Sequence, residues 1–217
     1  MIVAKYSEFE HIITGPGVQT QIKKNGHTVS EQNFTCPVCS KHLTYQNSSI
    51  LRPFSYFVHS DGSTDCFETE STSDEHRLAL ELTVKALHNR IREVTGESVE
   101  IDVERWIGVR ENFVIADVRV TSPIQVAAEV FYKCDSLALG RRLKTMFANG
   151  YRTYLIFHTN GKHDPHQVER YIQRVAPLGV GRFDAGSLEV ALGDLFTKQQ
   201  IELTQTNREA LPNYIVR

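Results

Sequence analysis

Between residues 80 and 94 apolar side chains recur at Leu80, Val84, Leu87, Ile91 and Val94, the spacing of one face of a helix. Thr72-x-x-Glu75 stands in front of them with the form of a capping box, and Thr-Gly-Glu at 95–97 breaks the pattern behind. The period then changes from 3.6 to 2. SVEIDVERW (98–106), NFVIADVRV (112–120) and QVAAEVFYK (125–133) each alternate, and TSPI joins the last two, which predicts an antiparallel meander. A second helix is expected from about Ser136 to Asn149, stopped by Gly150, and the apolar run YRTYLIFH follows as a strand. Strand, helix and strand in that order imply a right-handed crossover and a parallel pair. Beyond it, HDPHQVERYIQRVAPLG (163–179) reads as a helix, VGRFD (180–184) as a strand and GSLEVALGDLFTK (186–198) as a further helix. TQTNREALPNYIVR (204–217) reads as a loosely attached tail.

The first 70 residues lack such periodicity. Gly-Pro-Gly at 15–17, Asn25-Gly26 and SDGSTD at 60–65 punctuate them, and only Met1 to Tyr6 and Phe54 to His59 look like strands. The reading is a loop-rich module over 1–70 that buries too little to fold unaided, followed by an α/β domain over 71–217.

With 41% hydrophobic residues the chain can bury one good core beside a small accessory module. A formal charge of -2 leaves any affinity for phosphate to local clusters of Lys and Arg. The first residues, MIVAKYSEFEH, show no basic segment followed by a long apolar run, and no window approaches the ~20 apolar residues of a membrane span. A soluble, cytoplasmic protein with no membrane partner is the expectation.

Four cysteines, at 36, 39, 66 and 134, are too few for a secreted disulfide framework. Cys36-x2-Cys39 turns two thiolates toward one point, and Zn²⁺ takes four Cys or His ligands. Cys36, Cys39, His59 and Cys66 make one structural zinc set, with His42 a rival for the histidine position. Zinc binding, on the order of 10 kcal/mol, would offset the small core of such a module. Cys134, alone after a strand, reads as a core thiol.

Two acids interrupt the apolar strands. Ile115, Asp117 and Arg119 share one face of their strand, and Glu129 lies inside AAEVF. Burying unpaired carboxylates costs several kcal/mol each, so a hard cation such as Mg²⁺ or Mn²⁺, or a salt bridge such as one to Arg119, should compensate them. Lys133 shares the face of Glu129, about 13 Å along an extended strand. His76 lies in the first helical turn, Glu81 and Lys85 form an i, i+4 pair expected on a solvated face, and Glu100, Asp102 and Glu104 alternate on one side of the first strand. Arg141, Arg142 and Lys144 of the second helix are candidates for phosphate contacts. His158, His163 and His166 read as loop histidines.

These pieces, CPVC, YFVH, ESTSDEH, ADVRV, AAEVFYKCDSL and GRRLKTMFANGYRTYLIF, span Cys36 to Phe157 and resemble the CoiA-like competence protein family of the PD-(D/E)XK nucleases. The resemblance implies a restriction-endonuclease-like three-layer α/β core and divalent-metal hydrolysis of phosphodiesters in DNA. It also implies Asp117 and Glu129 as metal ligands, His76 as the residue after the acidic Ser-rich segment, and Arg142 or Arg141 as the helical arginine. Phe131 departs from the pattern, since the family usually places Gln or Lys there, and Lys133 is the candidate replacement. Leu80 stands where relatives carry a Lys. A catalytically inactive nucleic-acid-binding protein is the rival reading, a partner-binding zinc protein a third, and a homodimer is compatible with each.

Overall fold

The computed structural model describes residues 1–6, 10–24, 33–50, 54–67, 73–109, 112–131, 136–159 and 178–193. Contacts divide the chain into two compact units, Met1–Glu97 and Ser98–Arg217.

The first unit holds β1 (Val3–Tyr6), β2 (His11–Thr14), α1 (Gly15–Lys24), β3 (Phe34–Thr35), β4 (His42–Gln46), β5 (Tyr56–His59) and α2 (Asp74–Thr95). Its strands form one sheet in the order β2-β1-β3-β4-β5, every pair antiparallel. The core is aromatic. The Phe34 ring lies 5.8 Å from that of Tyr6 and 5.1 Å from that of Phe57, whose other neighbour is Tyr45 at 5.7 Å. This segment is therefore richer in sheet than its turn residues suggest.

Where Gly-Pro-Gly predicts a turn, the chain starts α1. Thr14 Oγ1 accepts the Gly17 N–H at 3.3 Å, and Pro16, whose fixed φ suits a first helical turn, donates nothing that the helix would miss.

The N-cap of α2 is Ser73, one residue after the expected Thr72, which lies outside the described residues. Its hydroxyl accepts the His76 N–H at 3.2 Å, and Asp74 and Glu75 in the first turn complement the helix dipole. Gly96 ends the helix at φ 72° and returns its N–H to Arg92. Leu80, Val84, Leu87 and Ile91 are buried as the periodicity requires, whereas Val94 is exposed.

Glu81 overturns its expected place on a solvated face. It is buried, accepts the backbone N–H groups of Ile2 and Val3, and is pushed up to about 7 by that burial. Asn89 clamps Ile12 in the same way, accepting from its N–H at 2.9 Å and donating to its carbonyl at 2.8 Å. These bonds bind α2 to β1 and β2, so the contact boundary falls after the helix and not at residue 70.

The second unit contains β6 (Glu100–Val109), β7 (Asn112–Ser122), β8 (Val126–Phe131), α3 (Ser136–Ala148), β9 (Arg152–His158), β10 (Leu178–Asp184) and β11 (Glu189–Leu192). Its sheet runs β11-β10-β9-β8-β7-β6. The expected meander is present as β6, β7 and β8, and β8 pairs in parallel with β9 across the α3 crossover. Strand β10 adds a second parallel pair.

The helix expected over 186–198 is corrected over its described part. Asp184 Oδ1 accepts the Gly186 N–H at 2.8 Å, and this tight turn sends Glu189–Leu192 back along β10 as a strand. Of the helix expected at 163–179, residues 163–177 lie outside the described residues, as does the tail from 194, while Leu178 and Gly179 open β10.

Leu139, Leu143 and Phe147 of α3 pack with Leu155 and Phe157 of β9 and with Leu178 and Val180 of β10. Met146 joins Ile107, Val114, Ala116, Ala127 and Tyr151. Full burial of a side chain of this size contributes about 1.5–3 kcal/mol, so this packing fixes α3 and the strand ends beside it. The architecture is α/β with two sheets, and no helix among the described residues is long and apolar enough to cross a membrane.

Candidate metal centre and carboxylate pair

In the first unit the chain leaves β3 into Cys36-Pro-Val-Cys39. Ser40 N–H donates to the Cys36 carbonyl at 2.9 Å, and Cys36 N–H to the Lys41 carbonyl at 2.8 Å. This turn aims both thiols to one side. His59 ends β5, and Gly62 N–H closes the following turn on its carbonyl, leading the chain to Cys66.

The ligand atoms of Cys36, Cys39, His59 and Cys66 all lie within 4.8 Å of one another. His59 Nε2 is 3.3 Å from Cys39 Sγ and 3.9 Å from Cys66 Sγ. Bonds of ~2.3 Å to sulfur and ~2.0 Å to nitrogen in a tetrahedron place ligand atoms about 3.5–3.8 Å apart; the His59 contacts lie near that spacing and no pair of ligand atoms exceeds it by more than about 1 Å.

Burial pushes the Cys36 thiol far up and the Cys66 thiol up to about 11. Thiolates form there only beside a compensating cation. This Cys3His cluster can hold a metal ion such as zinc. His42 is exposed at the start of β4 and outside the cluster.

The second unit gathers Asp117, Glu129 and Arg142. The β7–β8 ladder runs Val120↔Val126, Arg119↔Ala127 and Val118↔Ala128 and then stops. Asp117 and Glu129 stand just past its last pair, on neighbouring strands. Beyond it the Val130 N–H goes to Asp117 Oδ2 at 2.7 Å instead of to a β7 carbonyl.

Glu129, on a strand inside the sheet between β7 and β9, is 2% exposed. Arg142 of α3 reaches one of its oxygens through Nε at 3.1 Å and Nη2 at 2.5 Å, and Nη2 also donates to the Ile115 carbonyl at 2.7 Å. The other oxygen, Oε1, is buried with no hydrogen-bond partner among the described residues. Burial and the adjacent Asp117 charge push Glu129 up to about 8 against the pull of Arg142.

Arg119, the expected partner of this pair, instead holds Asp102 at 2.7 Å and the Trp106 carbonyl at 2.8 Å. Glu100 is exposed and accepts from Thr121. Arg141 and Lys144 are exposed on α3, while Arg142 faces Glu129 and not solvent phosphate. Phe131 packs on Phe157 with ring centres 6.0 Å apart. His76 belongs to the first unit. His158 is corrected from a loop histidine to the buried end of β9. Lys133, Cys134, His163 and His166 lie outside the described residues.

The arginine that meets Glu129 was one of the helical candidates, but its ion pair needed the tertiary structure. Only the order strand, helix, strand, with α3 crossing back over β8, carried any sign of it.

Comparison with family models, with curated proteins and with solved structures finds no match for this chain.

Proposed function

We propose that this chain is a divalent-metal-dependent nuclease of the restriction-endonuclease type that hydrolyses phosphodiester bonds in DNA, with a structural zinc ion in its first unit. The observation that carries the reading is Asp117 standing beside Glu129 where β7 and β8 part, with Glu129 Oε1 buried and lacking a partner among the described residues. Two hard oxygen donors side by side, one unsatisfied, suit Mg²⁺ or Mn²⁺. Such an ion would supply charge neutralisation for a phosphoryl group and acidify a water.

Asp117 is held by the Val130 N–H, which fixes its carboxylate toward the gap between the strands. Arg142 anchors one oxygen of Glu129 and leaves the other for a ligand. The exposed Arg141 and Lys144 suit phosphate oxygens.

The test is incubation of the protein with plasmid and single-stranded DNA in Mg²⁺ or Mn²⁺, beside Asp117→Ala and Glu129→Ala. Cleavage by the unaltered protein, lost in both variants, supports hydrolysis. Cleavage that persists in them, or none at all, removes this site from it.

A second reading is favoured by Phe131 and by the Arg142–Glu129 ion pair: a protein that keeps the fold, binds nucleic acid and does not cut it. Retention of DNA without cleavage supports that alternative. Absence of both leaves a partner-binding zinc protein.

A further inference from the structure

Two aromatic rings lie in the open near the tip of the β6–β7 hairpin. Trp106 is 56% exposed and Phe113 40%, and their rings are stacked with centres 4.1 Å apart and planes 8° from parallel. Gly108 makes this stack possible. It stands opposite Phe113 in the register with φ 111°, and a Cβ there would sit 2.3 Å from the Asn112 carbonyl oxygen. With no side chain at 108, nothing separates the indole from the ring across the hairpin.

The pair continues toward the carboxylates. Trp106 is registered with Ile115, itself 41% exposed, and Phe113, Ile115 and Asp117 alternate onto one face of β7. Ile115 also gives its carbonyl to Arg142, the guanidinium that holds Glu129. An open row of flat and apolar side chains thus leads along a single strand face to the acidic pair. Exposed cations, Arg141 and Lys144, lie on the helix that Arg142 ties to this strand.

We propose that the Trp106–Phe113 stack is a platform on which unpaired bases of a single-stranded DNA substrate stack while the backbone runs toward Asp117 and Glu129. The inference rests on the nuclease-type reading above and narrows it to a substrate with at least one unpaired stretch. Stacking selects a π-face without reading a sequence, and bases in a duplex keep their faces covered by neighbours. An apolar peptide would use the same rings, but the strand face that carries them runs on to the acidic pair proposed to act on a phosphodiester, which favours a nucleic-acid chain.

Trp106 is the chain's single tryptophan, so its emission reports this surface alone. Titrating the full chain with a 12-nucleotide oligothymidylate should quench and shift that emission, while a blunt duplex of equal length leaves it nearly unchanged. Phe113→Leu should weaken oligothymidylate binding roughly tenfold or more, read by anisotropy of a labelled strand. A thermal melt and circular dichroism check that this variant is folded. If it is not, the emission titration of the unaltered chain decides.

Asp117→Ala should still quench, which separates the two proposals: quenching without any cleavage keeps the platform and sinks hydrolysis. Asp117-dependent cleavage with an unquenched Trp106 keeps hydrolysis and overturns the platform. Equal quenching by the duplex also overturns it, as does emission that responds to protein concentration and not to oligonucleotide, the mark of a second copy of this chain on the patch.

Discussion

Arg142 of α3 grips a single oxygen of Glu129 on β8 through two of its nitrogens, at 3.1 and 2.5 Å, while the second oxygen of the same carboxylate is buried and unmatched among the described residues. Breaking a buried pair costs more than the pair contributes, because the survivor is left out of water without its partner. Arg142→Leu should therefore destabilise the second unit by about 3 kcal/mol, and Arg142→Leu with Glu129→Leu should recover most of that loss. Urea unfolding of both variants checks this, and a double variant no more stable than the single one would show that the ion pair itself holds α3 in place.

The metal cluster makes a sharper demand. The purified chain should carry close to one zinc, and Cys39→Ser or His59→Ala should lose it, whereas His42→Ala should keep it. Elemental analysis reads the content directly. Loss of the ion should also flatten the near-ultraviolet dichroism of Tyr6, Phe34, Tyr45 and Phe57, since binding on the order of 10 kcal/mol outweighs the stability of a small unit.

His88 gives a pH dependence of known sign. Burial, chiefly, holds this α2 imidazole down at about 4 from an ordinary 6.5, with Lys5, Arg92 and His11 adding repulsion and Asn89 opposing. The neutral ring is favoured in the fold, so its contribution is complete above pH 6.5 and lost as the pH falls toward 4. Glu81, raised to about 7, acts oppositely, contributing below pH 4.5 and losing that as the pH rises through 7. Across pH 7 to 4.5 the unaltered protein should lose about 2–3 kcal/mol more than His88→Gln, measured as the difference in urea midpoints. Parallel curves for the two proteins would place the ring in water.

Gly108→Ala should cost about 1–3 kcal/mol, because a Cβ would meet the Asn112 carbonyl and φ 111° is unfavourable for any side chain. Calorimetry of the second unit's transition is the measurement, and an unchanged transition would mean that the hairpin tip relaxes freely.

The parts of the fold legible in the sequence are those whose side chains declare a period. Strands β6 to β9 and helices α2 and α3 follow from alternation and 3.6-residue spacing, and Cys36, Cys39, His59 and Cys66 follow from the small menu of zinc ligands. Helix α1 does not, because Gly-Pro-Gly is a turn signal in isolation and a helix start only when a residue such as Thr14 caps it. Four residues, Glu189 to Leu192, satisfy helix and strand equally, and the Asp184 turn decides between them. Glu81 and Lys85 look like a surface pair because spacing alone carries no information about β1, whose N–H groups claim Glu81. Arg119 and Arg142 could each have served Glu129; the register with Asp102 assigns the first, and the crossover helix delivers the second.

The four sulfur and nitrogen ligands also bracket the hairpin of β4 and β5, in which Leu43 faces His59 and Tyr45 faces Phe57. Sliding β5 by a residue would turn Phe57 to water and bring Val58 into the aromatic core. An ion bonded on both sides of that hairpin works as a peg through a ruler, holding the one alignment in which the sheet has an inside.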